Sequence, residues 1–141
     1  MDWTRYGKKT DAATLAKSAA AARERAYAPY SGFLVGAALL TAGGKVYTGC
    51  NIENAAFSPT NCAERTAFFK AVSEGEREFA AIAVAGWPKG AESGKAYPCG
   101  VCLQVMAEFC EPESFLVIVA DAAGEIETFA LRDLLPRGFG K

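Results

Sequence analysis

Two short stretches contain residues that could form a metal centre. Cys62 and Glu64 belong to the sequence Cys-Ala-Glu-Arg, and Cys99 and Cys102 belong to Pro-Cys-Gly-Val-Cys. Cysteine thiolates are common zinc ligands, and a carboxylate beside a zinc can transfer protons. Structural zinc sites are usually closed by four protein ligands, whereas catalytic sites keep one position open. Three cysteines and one glutamate therefore predict a catalytic zinc centre that carries out a hydrolysis.

Both cysteine stretches are predicted to begin helices. Apolar residues at helical spacing follow each stretch, and Pro98 suits a helix start. We expect one helix from Cys62 to about residues 73–75 and a second one beginning near Cys99. A helix N-terminus carries unpaired N–H groups and a partial positive charge, which favour the thiolate form that a metal needs.

The residues after Cys62 indicate how the centre is tuned. Glu64 precedes Ala67 and Phe68 by three and four residues, so its side chain shares their apolar face and is predicted to point inward. Burying an unpaired charge is costly, which favours a catalytic role for this carboxylate. Arg65 and the two helix N-termini are predicted to offset the negative charge of three thiolates.

The other two cysteines are most simply small core residues. Cys110 follows Cys102 by eight residues, about 12 Å along one helix, which is too far to complete a tetrahedral site. Spacing leaves Cys50 open as a fourth ligand, so a non-catalytic zinc-stabilised interaction module is an alternative function. Five cysteines, three of them in metal-like positions, indicate a reducing compartment rather than a disulfide framework.

Four further motifs accompany the two cysteine stretches in a fixed order. They are Tyr27-Ala28-Pro29-Tyr30-Ser31, Phe33-Leu34-Val35-Gly36-Ala37-Ala38, Gly49-Cys50-Asn51-Ile52-Glu53-Asn54 and Leu134-Leu135-Pro136-Arg137-Gly138-Phe139. From about Ala26 to the C-terminus, this order resembles the small, homotetrameric, zinc-dependent cytidine deaminases. The resemblance implies a three-layer α/β/α sandwich with a five-stranded mixed sheet, and active sites completed by neighbouring subunits of a homotetramer.

The same resemblance implies a reaction. It is the hydrolytic deamination of cytidine and 2′-deoxycytidine to uridine and 2′-deoxyuridine, a step of pyrimidine salvage, with one Zn²⁺ per chain held by Cys62, Cys99 and Cys102. Glu64 would shuttle a proton from zinc-activated water to the ring and then to the departing amine. A related deaminase of a blasticidin-type nucleoside antibiotic is the alternative with the same zinc chemistry.

The resemblance also assigns substrate contacts. Asn51 and Glu53 match residues that hold the ribose hydroxyls, and the backbone at Ala63 matches one that fixes the base. Phe33 and Phe139 match aromatic positions near the base, with Phe139 reaching in from another subunit. Amide and carboxylate groups suit a sugar diol, and an aromatic face suits a flat ring.

Two positions beside Cys102 complete the comparison. Gln104 matches a residue that contacts the active-site residues and not the substrate itself. Many relatives carry an arginine immediately after the last zinc cysteine, where it donates to a thiolate, but this chain has Leu103. The site is therefore expected to contain one positive charge fewer than in those relatives.

Hydrophobic periodicity predicts the remaining elements. Thr10 or Asp11 should cap a helix that continues to about Ala26. The predicted strands are 33–41, 45–50, 79–86, 115–120 and 126–130, with a hairpin turn at 42–44, a surface loop at 87–97 and a short helix at 131–135. Two hairpin strands followed by strands that alternate with helices indicate an α/β fold with a mixed sheet covered on both faces.

Composition limits the possible functions. A length of 141 residues predicts one domain, 1–141, which buries roughly 70% of its unfolded surface. A net charge of −1 shows no excess of basic residues of the kind that binds nucleic acid. The N-terminus, residues 1–10, has no apolar run of signal-peptide length, and no stretch of the chain approaches the roughly 18 consecutive apolar residues of a membrane span. We therefore expect a cytoplasmic enzyme that acts on a small nucleoside and contacts neither nucleic acid nor membrane.

Overall fold

The computed structural model describes residues 1–7 and 10–140. The predicted domain 1–141 also includes residues 8, 9 and 141, which lie outside this range. Within the described residues, no helix is long and apolar enough to cross a membrane. After a 3₁₀ turn at Trp3–Tyr6, the elements are α1 (Ala12–Arg23), β1 (Phe33–Thr41), β2 (Val46–Cys50), α2 (Ala63–Ser73), β3 (Phe79–Pro88), α3 (Gly100–Phe109), β4 (Leu116–Ala120), β5 (Ile126–Ala130) and α4 (Leu131–Leu134).

The five strands form one mixed sheet. Their spatial order is β2-β1-β3-β4-β5. β3 and β4 are parallel, and the other neighbouring pairs are antiparallel. A parallel pair needs a crossover connection, and α3 provides it here. The predicted five-stranded mixed sheet is confirmed.

Side chains that alternate along the strands divide the core between the two faces of the sheet. In β1, Ala37 and Leu39 pack into the core under α2 and α3. Ala38 and Leu40 face the opposite way and pack with Leu15 and other residues of α1. All four of these β1 side chains are fully buried. The α/β/α sandwich is therefore confirmed.

Five element boundaries differ from the sequence predictions. β2 begins at Val46 and α4 ends at Leu134, each one residue from the predicted boundary. α1 ends at Arg23 instead of Ala26, because the chain turns there and the Tyr27 amide donates to the Asn51 carbonyl at 3.0 Å. β3 continues to Pro88 instead of ending at residue 86, because β1 offers pairing partners as far as Phe33. The predicted surface loop is shortened accordingly. β4 begins one residue late, after a buried Phe115.

A glycine allows α2 to lie directly on the sheet. A Cβ atom on Gly49, in β2, would stand 2.5 Å from the Ala63 carbonyl oxygen and 2.6 Å from the Ala67 nitrogen. Backbone atoms cannot yield at such distances, so only glycine permits this approach. The contact fixes the first turn of α2, where Cys62 and Glu64 are found, against the sheet.

Candidate metal centre and active site

The three predicted zinc ligands converge at the N-termini of α2 and α3. The Sγ atoms of Cys62, Cys99 and Cys102 all lie within 4.8 Å of one another, and among residues 1–7 and 10–140 they form the only such group of potential metal ligands. Cys62 and Cys99 are the N-cap residues of the two helices. Their sulfurs are 3.8 Å apart, and those of Cys99 and Cys102 are 3.6 Å apart.

Local backbone pairing brings Cys62 to this position. Ile52 and Asn61 exchange two backbone hydrogen bonds of 2.9 Å each, which ties the segment after β2 to the residue before Cys62. In α3, the Cys99 sulfur accepts a hydrogen bond from the Cys102 amide at 3.5 Å. The Cys99 thiol is thus held by the helix cap of α3, and the backbone pairing of Ile52 with Asn61 places Cys62 beside it.

Glu64 is buried beside the thiols. It lies in the first turn of α2 and is only 4% exposed. Burial raises the pKa of Glu64 to about 7 from an ordinary value of 4.5. A carboxyl group with this pKa can both accept and release a proton near neutral pH.

Groups that neighbour the Cys62 thiol favour its ionisation. Its pKa is lowered, first by the neighbouring Cys102 thiol and also by Arg65. Nη2 of Arg65 donates to the Cys62 sulfur at 3.3 Å, which is the contact that the predicted charge compensation requires. The pKa of Cys102 is raised, because the ionised Cys62 leaves the proton on Cys102 and because Cys102 is buried. Zinc binding would release that proton.

The donor set fits zinc. Three soft thiols approach from two helix N-termini, and a carboxylate that is not part of the thiol group lies beside them. Cys50 is outside this group, and its thiol donates to the Arg25 carbonyl at 3.5 Å. Cys110 is the C-cap residue of α3, at the opposite end from Cys99. Cys62, Cys99 and Cys102 are therefore positioned to hold a zinc ion, and no fourth cysteine joins them in the described part of the chain.

The predicted sugar contacts lie near the N-terminal end of β1. Asn51 accepts a hydrogen bond from the Val35 amide at 2.9 Å and donates one to the Phe33 carbonyl at 2.8 Å. The carboxylate of Glu53 lies against the turn at residues 30–31. Ala63, which was predicted to fix the base through its backbone, is fully buried at the start of α2.

The predicted C-terminal contact is exposed. The side chain of Phe139 is 82% exposed, and its carbonyl accepts a hydrogen bond from Nε2 of Gln104 at 2.7 Å. Gln104 thus holds the C-terminal segment against α3. Leu103 is only 7% exposed and packs in the core. We use the term nucleoside rim for the four predicted side-chain contacts with the substrate, Phe33, Asn51, Glu53 and Phe139.

Two residues that help to build the site had no predicted role. Ser31 hydrogen bonds to Glu53, and Gly49 admits α2 to the sheet. Both belong to the motifs that carry the family resemblance, and that was the only signal available. A sequence does not reveal which glycine meets a helix backbone or which serine faces a carboxylate, because both contacts are tertiary.

Comparison with known proteins decides the family. The family described as "Cytidine and deoxycytidylate deaminase zinc-binding region" matches residues 9–118. The chain belongs to this family. A cytidine deaminase from Sporosarcina psychrophila is 56% identical over 120 residues, 85% of either chain. One from Halalkalibacterium halodurans is 50% identical over 129 residues, 92% of this chain and 94% of the relative.

A solved structure agrees with this assignment. The crystal structure of cytidine deaminase from Burkholderia pseudomallei has 48% sequence identity and a TM-score of 0.84, and the match covers 92% of this chain and all of that one. A blasticidin-S deaminase from Bacillus cereus is 29% identical over 106 residues. This member of the cytidine deaminase family is an enzyme, and as a deaminase it is a hydrolase.

Proposed function

We propose that the chain catalyses the hydrolytic deamination of cytidine and 2′-deoxycytidine, as a step of pyrimidine salvage. The observation that carries this proposal is the buried Glu64 beside three convergent thiols. A structural zinc site needs no buried carboxylate, whereas a hydrolytic site needs a group that moves protons. The identities of 56% and 50% to cytidine deaminases support the choice of substrate.

The proposed mechanism assigns Glu64 to proton transfer. Zinc held by Cys62, Cys99 and Cys102 would supply Lewis acidity that lowers the pKa of a water molecule. Glu64 accepts a proton from the attacking water and delivers it to ring N3 while oxygen adds to C4. Glu64 then takes the proton of the new C4 hydroxyl and delivers it to the departing amine, so that the C4–N bond breaks, the C4 carbonyl forms, and cytidine and water give uridine and ammonia. The burial of Glu64 beside the thiols places this carboxylate where it can carry out both transfers.

The nucleoside rim would hold the substrate. Asn51 and Glu53 bind the ribose hydroxyls, Phe33 and Phe139 contact the base, and the Ala63 backbone fixes the base edge. Asn51 keeps capacity for a ligand despite its two bonds to β1, because an amide group has further donor and acceptor sites. Arg65 offsets the charge of the thiolates, and Gln104 anchors the C-terminal segment.

The proposed assembly is a homotetramer with shared active sites. The resemblance to homotetrameric cytidine deaminases supports this assembly, and a neighbouring chain would contact the exposed side chain of Phe139, which is 82% exposed. Each chain would be a single domain, residues 1–141, that holds one zinc ion, works in the cytoplasm and contacts neither nucleic acid nor membrane.

One variant tests this function. Glu64→Gln should lower cytidine turnover, followed by absorbance, on the order of 10²–10⁴-fold while keeping the same zinc content as the wild type. Glu74→Gln, at the exposed opposite end of α2, is the matched control and should remain active.

Other outcomes separate the alternatives. A zinc-loaded wild type that is inactive on cytidine and 2′-deoxycytidine would contradict the proposal, and turnover of blasticidin S or of a cytosine-containing oligonucleotide would identify another substrate. The interaction-module alternative predicts that Glu64→Gln changes nothing and that Cys50→Ala loses zinc.

A further inference from the structure

The carboxylate of Glu53 is held by three hydrogen bonds from one turn. Its Oε1 accepts from the Tyr30 amide at 3.0 Å and from the Ser31 amide at 3.1 Å. Its Oε2 accepts from the Ser31 hydroxyl at 2.5 Å. Residues 30 and 31 therefore supply every hydrogen bond that this carboxylate receives within the described chain.

The hydroxyl of Ser31 has a defined orientation. Its oxygen accepts a hydrogen bond from the Phe33 amide at 3.0 Å, so its single proton is free to point at Glu53. A hydroxyl group has one donor and two acceptor sites, and these two bonds use the donor and one acceptor. Ser31 thus connects Glu53 to Phe33, which is the first residue of β1 and one of the two aromatic members of the rim.

Asn51 is attached to the same piece of backbone. Its amide group bonds to the Val35 amide and to the Phe33 carbonyl. Phe33, Asn51 and Glu53 are therefore one hydrogen-bonded unit at the beginning of β1, and Ser31 is the side chain that attaches Glu53 to it. Without the Ser31 hydroxyl, the Glu53 carboxylate would be held only by the backbone amides of Tyr30 and Ser31, which both donate to Oε1.

We propose that Ser31 is a positioning residue for ribose recognition, which holds the Glu53 carboxylate in the geometry that accepts a sugar hydroxyl. This inference rests on the proposed function, because it takes Glu53 as a sugar contact. An ionised carboxylate has about four acceptor sites, and three are occupied here. The remaining site can accept one hydroxyl, so Ser31 both orients Glu53 and limits it to a single sugar contact.

The role predicts a particular kinetic signature. Glu53 would contact the sugar and not the reacting C4 atom of the base, so it would bind the substrate equally in the ground and transition states. Loss of such binding raises KM and leaves kcat unchanged. Ser31→Ala should raise KM for cytidine about tenfold, because a hydrogen bond to a charged group is lost. Ser31→Thr, which keeps the hydroxyl, should restore most of the affinity.

Two comparisons exclude a merely structural effect. The penalty of Ser31→Ala should vanish for 2′,3′-dideoxycytidine, which lacks both secondary sugar hydroxyls. It should also vanish in a Glu53→Gln background, because the two residues act as one unit. Ser73→Ala removes an exposed hydroxyl that bonds only to the Lys70 carbonyl at 2.7 Å, and it should leave both KM and kcat unchanged.

A measurement without substrate separates this inference from the proposed function. The Ser31 hydroxyl is the first cause of the lowered pKa of Glu53, so Ser31→Ala should raise that pKa in a carboxyl-carbon NMR titration. If Glu53→Gln raises KM and Ser31→Ala does not, the Ser31 inference is wrong and the proposed function stands. If wild type does not turn over cytidine, the proposed function fails. An unchanged pKa of Glu53 in Ser31→Ala would overturn the Ser31 inference in either case.

Discussion

The metal centre and the nucleoside rim are stabilised in different ways. In the metal centre, Cys62 and Cys99 cap two helices and Glu64 occupies a first turn, so secondary structure itself positions these groups. The rim is assembled from distant segments. The turn at residues 30–31 and the start of β1 hold Asn51 and Glu53 through side-chain hydrogen bonds.

The two regions also differ in how complete they are within one chain. Glu64 is 4% exposed and the three thiols contact one another, so one chain brings together all the groups of the metal centre, although Cys99 is exposed. Phe139 is 82% exposed. The difference indicates that one chain supplies all three thiols, whereas in the proposed assembly substrate affinity also depends on Phe139 of a neighbouring copy. Changes at the centre should therefore remove metal or turnover, and changes at the rim should mainly alter KM.

The largest effect is expected from removal of a zinc ligand. Cys102→Ser should reduce zinc to a small fraction of one ion per chain and lower turnover on the order of 10³-fold or more, because activation of water is lost. Zinc content by mass spectrometry and cytidine turnover measure the two effects. The matched control is Cys50→Ser, which should keep both zinc and activity because Cys50 bonds only to the Arg25 carbonyl. Zinc loss in the control instead would make Cys50 a ligand.

A smaller effect is expected at Arg65. Its guanidinium donates to the Cys62 sulfur, so Arg65→Gln should weaken zinc binding about 10–100-fold, as is usual when a partner of a metal ligand is removed. Competition with a chromogenic chelator measures the affinity without using activity. Arg77→Gln alters an exposed arginine that bonds to the carbonyls of Val72 and Glu76, and it should leave the affinity unchanged. Equal affinities for both variants would show that Arg65 does not stabilise the thiolates.

Much of the metal centre could be predicted from the sequence. Its residues form two groups, each of close neighbours along the chain, and periodicity and Pro98 are local signals that place Cys62 and Cys99 at helix starts. The burial of Glu64 followed from its spacing to Ala67 and Phe68. The five strands were also predicted, because each one is a distinct apolar run.

The rest depends on tertiary contacts. Leu103 indicated that the site contains one positive charge fewer than in many relatives. Only the fold shows that Arg65 contacts the Cys62 sulfur and that Leu103 packs in the core. The extension of β3 to Pro88 depends on pairing with β1. Ser31 and Glu53 are 22 residues apart, so no periodicity relates them. Contacts of this kind build most of the rim, which explains why family resemblance, and not local pattern, identified its residues.

The smallest effect is expected at Phe139. Contact between an aromatic side chain and a flat ring is worth about 0.5–1.5 kcal/mol, so Phe139→Ala should raise KM for cytidine roughly 2–12-fold with little change in kcat. Phe69→Ala removes another exposed aromatic side chain, 49% exposed on α2, and serves as the control. An unchanged KM would remove Phe139 from the rim.

Mixed assemblies show whether Phe139 serves a neighbouring chain. Glu64→Gln subunits lack the proton shuttle but keep Phe139, and Phe139→Ala subunits keep Glu64. If the aromatic side chain crosses to a neighbour, co-expression of the two variants should produce assemblies in which active sites with Glu64 receive Phe139 from the other variant, and KM should return toward the wild-type value. If Phe139 serves its own chain, every site that keeps Glu64 lacks Phe139, and KM stays raised. A molecular mass in solution that corresponds to one chain would exclude sharing altogether.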